Sequence, residues 1–121
     1  ALPLEPARRR AEEYLLERRL LHRLSDGAIP QERWLQVGFP NGWHYDVARA
    51  LDHLRVARER PDERMDEALD LLESKRGADG RWPLEHAYHS TLLVDLGESE
   101  GGPSRWLTLR GLRVLRWAGR A

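Results

Sequence analysis

The 121-residue chain contains no cysteine, and it has only one methionine, one phenylalanine and one lysine. Without a thiol, the chain can form no disulfide, no thiolate nucleophile and no cysteine-ligated zinc site. A chain without disulfides fits a reducing compartment, so we expect a cytoplasmic protein. No apolar run approaches the roughly 20 residues that span a bilayer, so no membrane span is predicted.

The chain also lacks an excess of either charge, because 20 acidic residues balance 20 basic ones. No net field therefore attracts nucleic acid or an anionic membrane. Arginines recur along the last predicted helix, but the chain has neither a glycine-rich phosphate loop nor a recognition-helix turn, so we predict no nucleic-acid partner. Nucleophilic catalysis has no support either, since no Gly-x-Ser-x-Gly elbow surrounds Ser90 or Ser104.

Hydrophobic periodicity predicts an all-α fold, built from helical hairpins as one domain over residues 1–121. The clearest apolar stripe consists of Val47, Ala50, Leu51, Leu54 and Ala57. A second stripe follows the break at Pro61 and consists of Met65, Ala68, Leu69 and Leu72. Two amphipathic helices with so short a link fold back on each other, because neither can bury its stripe alone. The four main predicted helices, joined by long loops, are Pro6–Leu24, Tyr45–Glu59, Asp62–Lys75 and Ser104–Ala118.

Turn residues mark two long connections between these helices. Ser25–Trp43 contains Asp-Gly, Ile-Pro, Phe-Pro and Asn-Gly pairs, and its large apolar side chains predict that it packs over the end of the helices. In the second connection, Thr91–Val94 is either a short strand or an extended lid segment. Asp46 and Ser104 are the predicted N-caps of the second and fourth helices.

Two helical segments share one pattern, since Arg49–Arg55 and Arg110–Arg116 both read Arg, small, Leu, two variable residues, Leu, Arg. A repeat of this period is typical of helix-pair arrays, although two helices rich in Arg and Leu can also match by chance. Together with the Trp43-x-Tyr45-Asp46 start of the hairpin and the Asp79-Gly80-Arg81-Trp82 turn, this pattern resembles the squalene cyclase and protein prenyltransferase superfamily.

The resemblance implies an α/α toroid, a barrel of alternating inner and outer helices, of which four helices would form an arc. It also implies that Trp82 is buried against the third helix and that Gly80 adopts a backbone conformation costly for other residues. The chain departs from the cyclases in lacking their Asp-x-Asp-Asp acid motif and their glutamine before the turn, and from the prenyltransferases in lacking a cysteine for zinc. Because four helices would form only an arc of such a barrel, we expect a part excised from a larger toroid-like protein.

Two polar segments resemble metal sites. The string Asp62–Asp66 spaces carboxylates along one helix side, but acids in a first helical turn are also favoured by the helix dipole. His86 and His89, with Asp95 and Glu98 downstream, lack a convincing third ligand. We predict no metal and no cofactor.

The best candidate site is a set of aromatic side chains with one neighbouring carboxylate. Aromatic rings around an apolar cavity can stabilise a cation through the quadrupole of their faces, as the resemblance to cyclases implies. Indoles at helix ends can equally fill a small core. The predicted ligand-binding residues are Trp34, Phe39, Trp43, Tyr45, Asp46, Trp82 and Trp106. No catalytic residue is identified.

Two functions follow from this set. The first is a non-catalytic helical module that binds an apolar small molecule or a partner protein segment. The second is a fragment of a terpene cyclase-like or prenyltransferase-like enzyme whose catalytic residues lie outside this chain. Whether the chain is an enzyme stays open.

The first and last predicted helices carry apolar residues on more than one face. A small four-helix domain offers each helix few neighbours, so Leu16, Leu20, Leu109 or Leu112 requires cover from outside the chain. A homodimer is the simplest arrangement that supplies it.

Overall fold

The computed structural model describes residues 4–87 and 96–121, so Thr91–Val94 lies outside the described residues. The described part is mostly helical, as predicted, with α1 (Leu4–Glu17), α2 (Val47–Ala57), α3 (Asp66–Ser74) and α4 (Arg105–Trp117). Two short 3-10 helices lie at Glu32–Leu35 and Glu63–Met65. A small antiparallel sheet, which the sequence analysis did not predict, pairs β1 (Trp82–Pro83) with β2 (Pro103–Ser104). The toroid arrangement stays a prediction.

The core forms where α2, α3 and α4 meet. Almost all of the two predicted stripes is buried, namely Val47, Ala50, Leu51, Leu54, Met65, Ala68, Leu69 and Leu72. The fourth helix adds Leu107, Val114 and Leu115 to the same cluster. Burial of an aliphatic side chain contributes about 1.5–3 kcal/mol, so this cluster is the main source of stability for the helices.

Side-chain contacts give the helix directions. Arg110 of α4 lies 3.6 Å from Asp52 of α2, and the Trp117 indole N–H donates to the Arg58 carbonyl just beyond α2. These two contacts advance together along both helices, so α4 runs parallel to α2. Arg120, after the end of α4, instead pairs with Asp70 and other acids of α3.

The predicted N-caps of α2 and α4 are confirmed. The Asp46 carboxylate accepts the Arg49 backbone N–H at 2.9 Å, and the Ser104 hydroxyl accepts the Leu107 backbone N–H at 3.1 Å. Both capping residues have extended backbones, as N-caps do. The helices themselves begin one to two residues after the predicted starts and end one to two residues before the predicted ends.

The predicted third helix needed a larger correction at its start. Asp62 caps a 3-10 turn rather than an α-helix, since its carboxylate accepts the Arg64 backbone N–H at 2.8 Å. The α-helical part therefore begins at Asp66, four residues after the predicted start.

The prediction that the first helix runs from Pro6 to Leu24 was wrong at its end. Helix α1 stops at Glu17, because the next residues form a Schellman motif: the Leu20 N–H bonds to the Leu15 carbonyl at 2.9 Å and the Arg19 N–H to the Leu16 carbonyl at 3.0 Å. Arg19 occupies the left-handed position of this motif, with φ 49°, where a glycine is usual. The sequence therefore lacks the glycine from which this motif could have been predicted.

The turn before β1 behaves as predicted. Gly80 has φ 82°, and the Asp79 carboxylate accepts the Arg81 backbone N–H at 3.0 Å. Trp82 is fully buried, and its indole N–H donates to the Leu72 carbonyl of α3 at 2.8 Å. The turn thus delivers a large aromatic side chain into the core between α3 and α4.

The expectation that Leu16 and Leu20 need cover from outside was wrong. Both are buried within the chain, at 0% and 2% exposure, as part of its hydrophobic core. Leu109 and Leu112 on α4 are 44% and 36% exposed. Association through α4 stays a prediction, but α1 gives no reason for it.

Candidate functional site

The structure distributes the seven predicted ligand-binding residues over several places. Trp34 and Tyr45 lie together beside a surface cavity, and Phe39 stacks on Trp106 elsewhere. Trp43 is 86% exposed. Asp46 and Trp82 are fully buried and line none of the cavities described below.

The cavity beside Trp34 and Tyr45 has a volume of about 240 Å³. We call it the aromatic pocket. Its apolar wall consists of Tyr14, Leu15, Leu20, Leu21, Pro30, Trp34 and Tyr45. Its basic residues are Arg18, His22 and Arg23, and no acidic residue lines it. The pocket therefore combines an apolar interior with basic groups.

Tyr45 is fixed in the pocket wall by a hydrogen bond and an aromatic contact. Its hydroxyl donates to the Leu20 carbonyl at 2.6 Å, and burial, with a smaller effect of the Asp46 charge, raises its pKa. The phenol therefore stays protonated and keeps this hydrogen bond. Its ring meets the Trp34 indole edge-to-face, with centroids 5.1 Å apart and planes at 74°, a favoured aromatic geometry.

The end of α1 creates the other half of the pocket. The Schellman motif turns the chain back after Glu17, and Leu20, with φ 68°, continues the reversal. Leu15 and Leu20, joined by the motif's backbone hydrogen bond, both face the pocket. A helix continuing to Leu24 would have left no such concave surface.

The sequence analysis missed Tyr14, Leu20 and Leu21 as pocket residues. Each was assigned to the face of a long helix, where they would pack on neighbouring helices. The one available signal was the pair of arginines at 18 and 19, because such residues interrupt an otherwise apolar run, and that signal is too common in this chain to be informative.

The basic residues of the pocket have different partners. His22 bonds to the Gly27 carbonyl through one ring nitrogen and to Glu67 through the other, both at 2.8 Å. Arg23 forms a paired contact with Asp26. Arg18 lies 3.4 Å from the Tyr14 ring centroid and donates through Nη1 to the Tyr14 carbonyl at 2.9 Å.

The His22 contact predicts a pH-dependent stability. The hydrogen bond to Glu67, followed by that to the Gly27 carbonyl, raises the pKa of His22 above its ordinary 6.5. The stabilisation should be fully present below the unfolded pKa and should disappear as pH rises through the folded pKa. We expect His22→Gln to lower the melting temperature at about pH 6 and to have little effect at about pH 8–9. A Glu67→Gln variant should show the same pH dependence, whereas equal effects at both pH values would contradict this role.

A second cavity, of about 320 Å³, shares Trp34 and Tyr45 with the aromatic pocket. Gln31, Arg33, Trp43 and His44 complete its lining. Trp43 stacks on His44 with centroids 3.9 Å apart, yet remains mostly exposed. The residues that line this cavity are more polar than those of the aromatic pocket, so the cavity is less suited to an apolar group.

The contacts of the Asp46 carboxylate are structural. Besides capping α2, its second oxygen accepts the Gly38 backbone N–H at 3.1 Å and the Asn41 side-chain amide at 2.7 Å. Burial raises its pKa, while these hydrogen bonds and the charge of Arg110 oppose that shift. Asp46 therefore ties the loop at residues 38–41 to the start of α2.

Phe39 and Trp106 form a separate surface feature. Their rings stack with centroids 5.7 Å apart and planes at 11°, and the Arg110 guanidinium lies 5.5 Å from the Phe39 ring. Arg110 also donates to the Asn41 side chain at 2.8 Å. The stack thus joins the Phe39 loop to α4.

The two polar segments considered as metal sites are occupied by other contacts. Asp62 pairs with Arg64, which lowers its pKa to about 2, and Asp66 lies 3.8 Å from Arg120. Glu98 accepts hydrogen bonds from Ser104 and the Arg105 backbone, while His89 and Asp95 lie outside the described residues. Within residues 4–87 and 96–121, no three metal-binding side chains converge.

Comparisons with protein-family models, with curated proteins and with solved structures find no match to this chain. In the described part of the chain, every helix is too short or too polar to cross a membrane. The functional interpretation therefore depends on the aromatic pocket.

Proposed function

We propose that this chain is a helical binding module whose aromatic pocket holds a ring-sized apolar group of a small molecule. The observation that carries the proposal is the joint placement of Trp34 and Tyr45 in the wall of a concave apolar surface. Ligand sites are typically concave and mostly apolar, with a few fixed polar groups. The Tyr45 hydrogen bond and the edge-to-face contact hold this wall in place without a ligand.

The size of the pocket favours a small ligand. An apolar cavity of about 150 Å³ is enough to bind benzene, so about 240 Å³ accommodates one ring or two fused rings. A long prenyl chain or a triterpene needs considerably more room than this. The volume therefore favours the binding module over the alternative of a cyclase-like or prenyltransferase-like fragment acting on such substrates within this chain.

The test is a calorimetric titration of the full chain with indole. A ligand of this size in an apolar pocket should bind with a dissociation constant on the order of 0.1–1 mM. Trp34→Ala removes one wall of the pocket and should weaken binding about tenfold. Trp43→Ala is the matched control, because Trp43 lines the second cavity and not the aromatic pocket.

Two results would contradict the proposal. Absence of saturable indole binding by the folded protein would show that the pocket holds no ring-sized group. Because Trp34 also lines the second cavity, weakened binding in Trp43→Ala, whatever the effect of Trp34→Ala, would assign the ligand to the second cavity.

A further inference from the structure

We infer that the ligand of the aromatic pocket is an aromatic acid, whose carboxylate is bound by Arg18 while its ring occupies the apolar interior. This inference rests on the proposed function and specifies its ligand class. It starts from the charge of the lining, which includes three basic residues and no acidic one.

Arg18 differs from the other two basic residues of the pocket in the hydrogen-bond donors that it can offer to a ligand. His22 and Arg23 are engaged by Glu67 and Asp26 respectively. Arg18 donates only through Nη1, to the Tyr14 carbonyl, and Glu17 lies 3.9 Å away. Among the described residues, no acceptor bonds to its Nε or Nη2. A carboxylate matches the planar fork of such a guanidinium.

The Arg18 side chain is held in position before a ligand arrives. The guanidinium stacks on the Tyr14 ring, and its hydrogen bond to the Tyr14 carbonyl anchors it on α1. Only 25% of the side chain is exposed. A fixed and partly desolvated guanidinium loses little conformational freedom on binding, which strengthens its contact with an anion.

The C-terminal end of α1 would ordinarily oppose an anion, because its free carbonyls carry partial negative charge. Here three of the last four carbonyls of α1 have partners. Arg18 bonds to the carbonyl of Tyr14, and the Schellman motif satisfies those of Leu15 and Leu16. Tyr45 likewise bonds to the Leu20 carbonyl. These acceptors are therefore engaged, which reduces their opposition to an anion beside Arg18.

The experiment compares phenylacetate with phenylacetamide, two ligands of nearly equal shape that differ in charge. Charge-assisted hydrogen bonds are stronger than neutral ones, so phenylacetate should bind about tenfold more tightly at low salt. Arg18→Gln should abolish this preference, so that the two ligands bind with equal affinity, and saturable phenylacetamide binding by the variant reports an intact pocket. Arg113→Gln, an exposed arginine on α4, should keep the preference.

The outcomes separate the two claims. Equal binding of both ligands to the unmodified chain overturns the acid inference while the proposed function stands. Binding of neither ligand overturns both. If Arg18→Gln fails to fold, salt titration of the unmodified chain replaces it: phenylacetate affinity should fall with ionic strength and phenylacetamide affinity should not. A phenylacetate affinity that does not respond to salt would contradict the role of Arg18.

Discussion

Replacing Trp82 with alanine is expected to lower the free energy of unfolding by about 3–5 kcal/mol. The indole is fully buried and its N–H donates to the Leu72 carbonyl at 2.8 Å. Alanine would leave a cavity between α3 and α4 and would free a buried carbonyl. Chemical denaturation measures the change. Trp43→Ala is the control, because an indole with 86% exposure should contribute within about 0.5 kcal/mol.

The packing of Trp82 can also be tested by a substitution in α4. A Cβ atom at Gly111 would lie 2.7–2.8 Å from three ring carbons of Trp82. Alanine usually stabilises a helix interior relative to glycine, by about 1 kcal/mol, but overpacking against a buried ring costs about 1–3 kcal/mol. We expect Gly111→Ala to destabilise the chain. In a double variant that also carries Trp82→Phe, the smaller ring should reduce the destabilisation that Gly111→Ala causes. A stabilising Gly111→Ala would show that Trp82 does not pack on α4 as described.

Replacing Asp46 with alanine is expected to lower the free energy of unfolding by about 3 kcal/mol or more. Loss of an N-cap costs about 1 kcal/mol. The change also leaves the Gly38 N–H and the Asn41 amide without their acceptor, at about 1–3 kcal/mol for a buried donor. Thermal and urea unfolding should agree on the loss.

Asp62→Ala is the matched control for Asp46. Asp62 also caps a helical turn, but its side chain is 23% exposed and water can replace it. Its loss should cost less than that of Asp46. Equal costs for the two substitutions would contradict the account of Asp46 as the tie between α2 and the loop at residues 38–41.

The sequence predicted α2, α3 and α4 because each has an apolar stripe at helical spacing that the structure buries. Leu51 and Leu69 are examples, since both lie at helical spacing and both are almost completely buried. The end of α1 was not predictable in the same way. Arg19 adopts a left-handed conformation that its residue type does not favour, and tertiary contacts around Leu16 and Leu20 stabilise it.

The small sheet escaped prediction for a different reason. Strands of two residues have no measurable alternation, and both contain a proline that breaks regular strand patterns. The pairing of Trp82 with Ser104 depends instead on where the Asp79–Trp82 turn and α4 bring them. Such a long-range contact leaves no local signal.

The candidate site was partly predictable. Aromatic composition indicated Trp34 and Tyr45, which the structure does bring together. Composition could not separate them from Trp82, because an indole looks the same in sequence whether it fills a core or lines a cavity. Tyr14 and Arg18 join the site only through the reversal of the chain after α1, which the sequence pattern obscured.

A crystal of the full chain soaked with indole would show where the ligand binds. We expect density for the ring between Tyr14, Trp34 and Tyr45, with the Tyr45 hydrogen bond to the Leu20 carbonyl unchanged. Density for the ring only beside Trp43 and His44, or an empty aromatic pocket at saturating indole, would contradict this expectation.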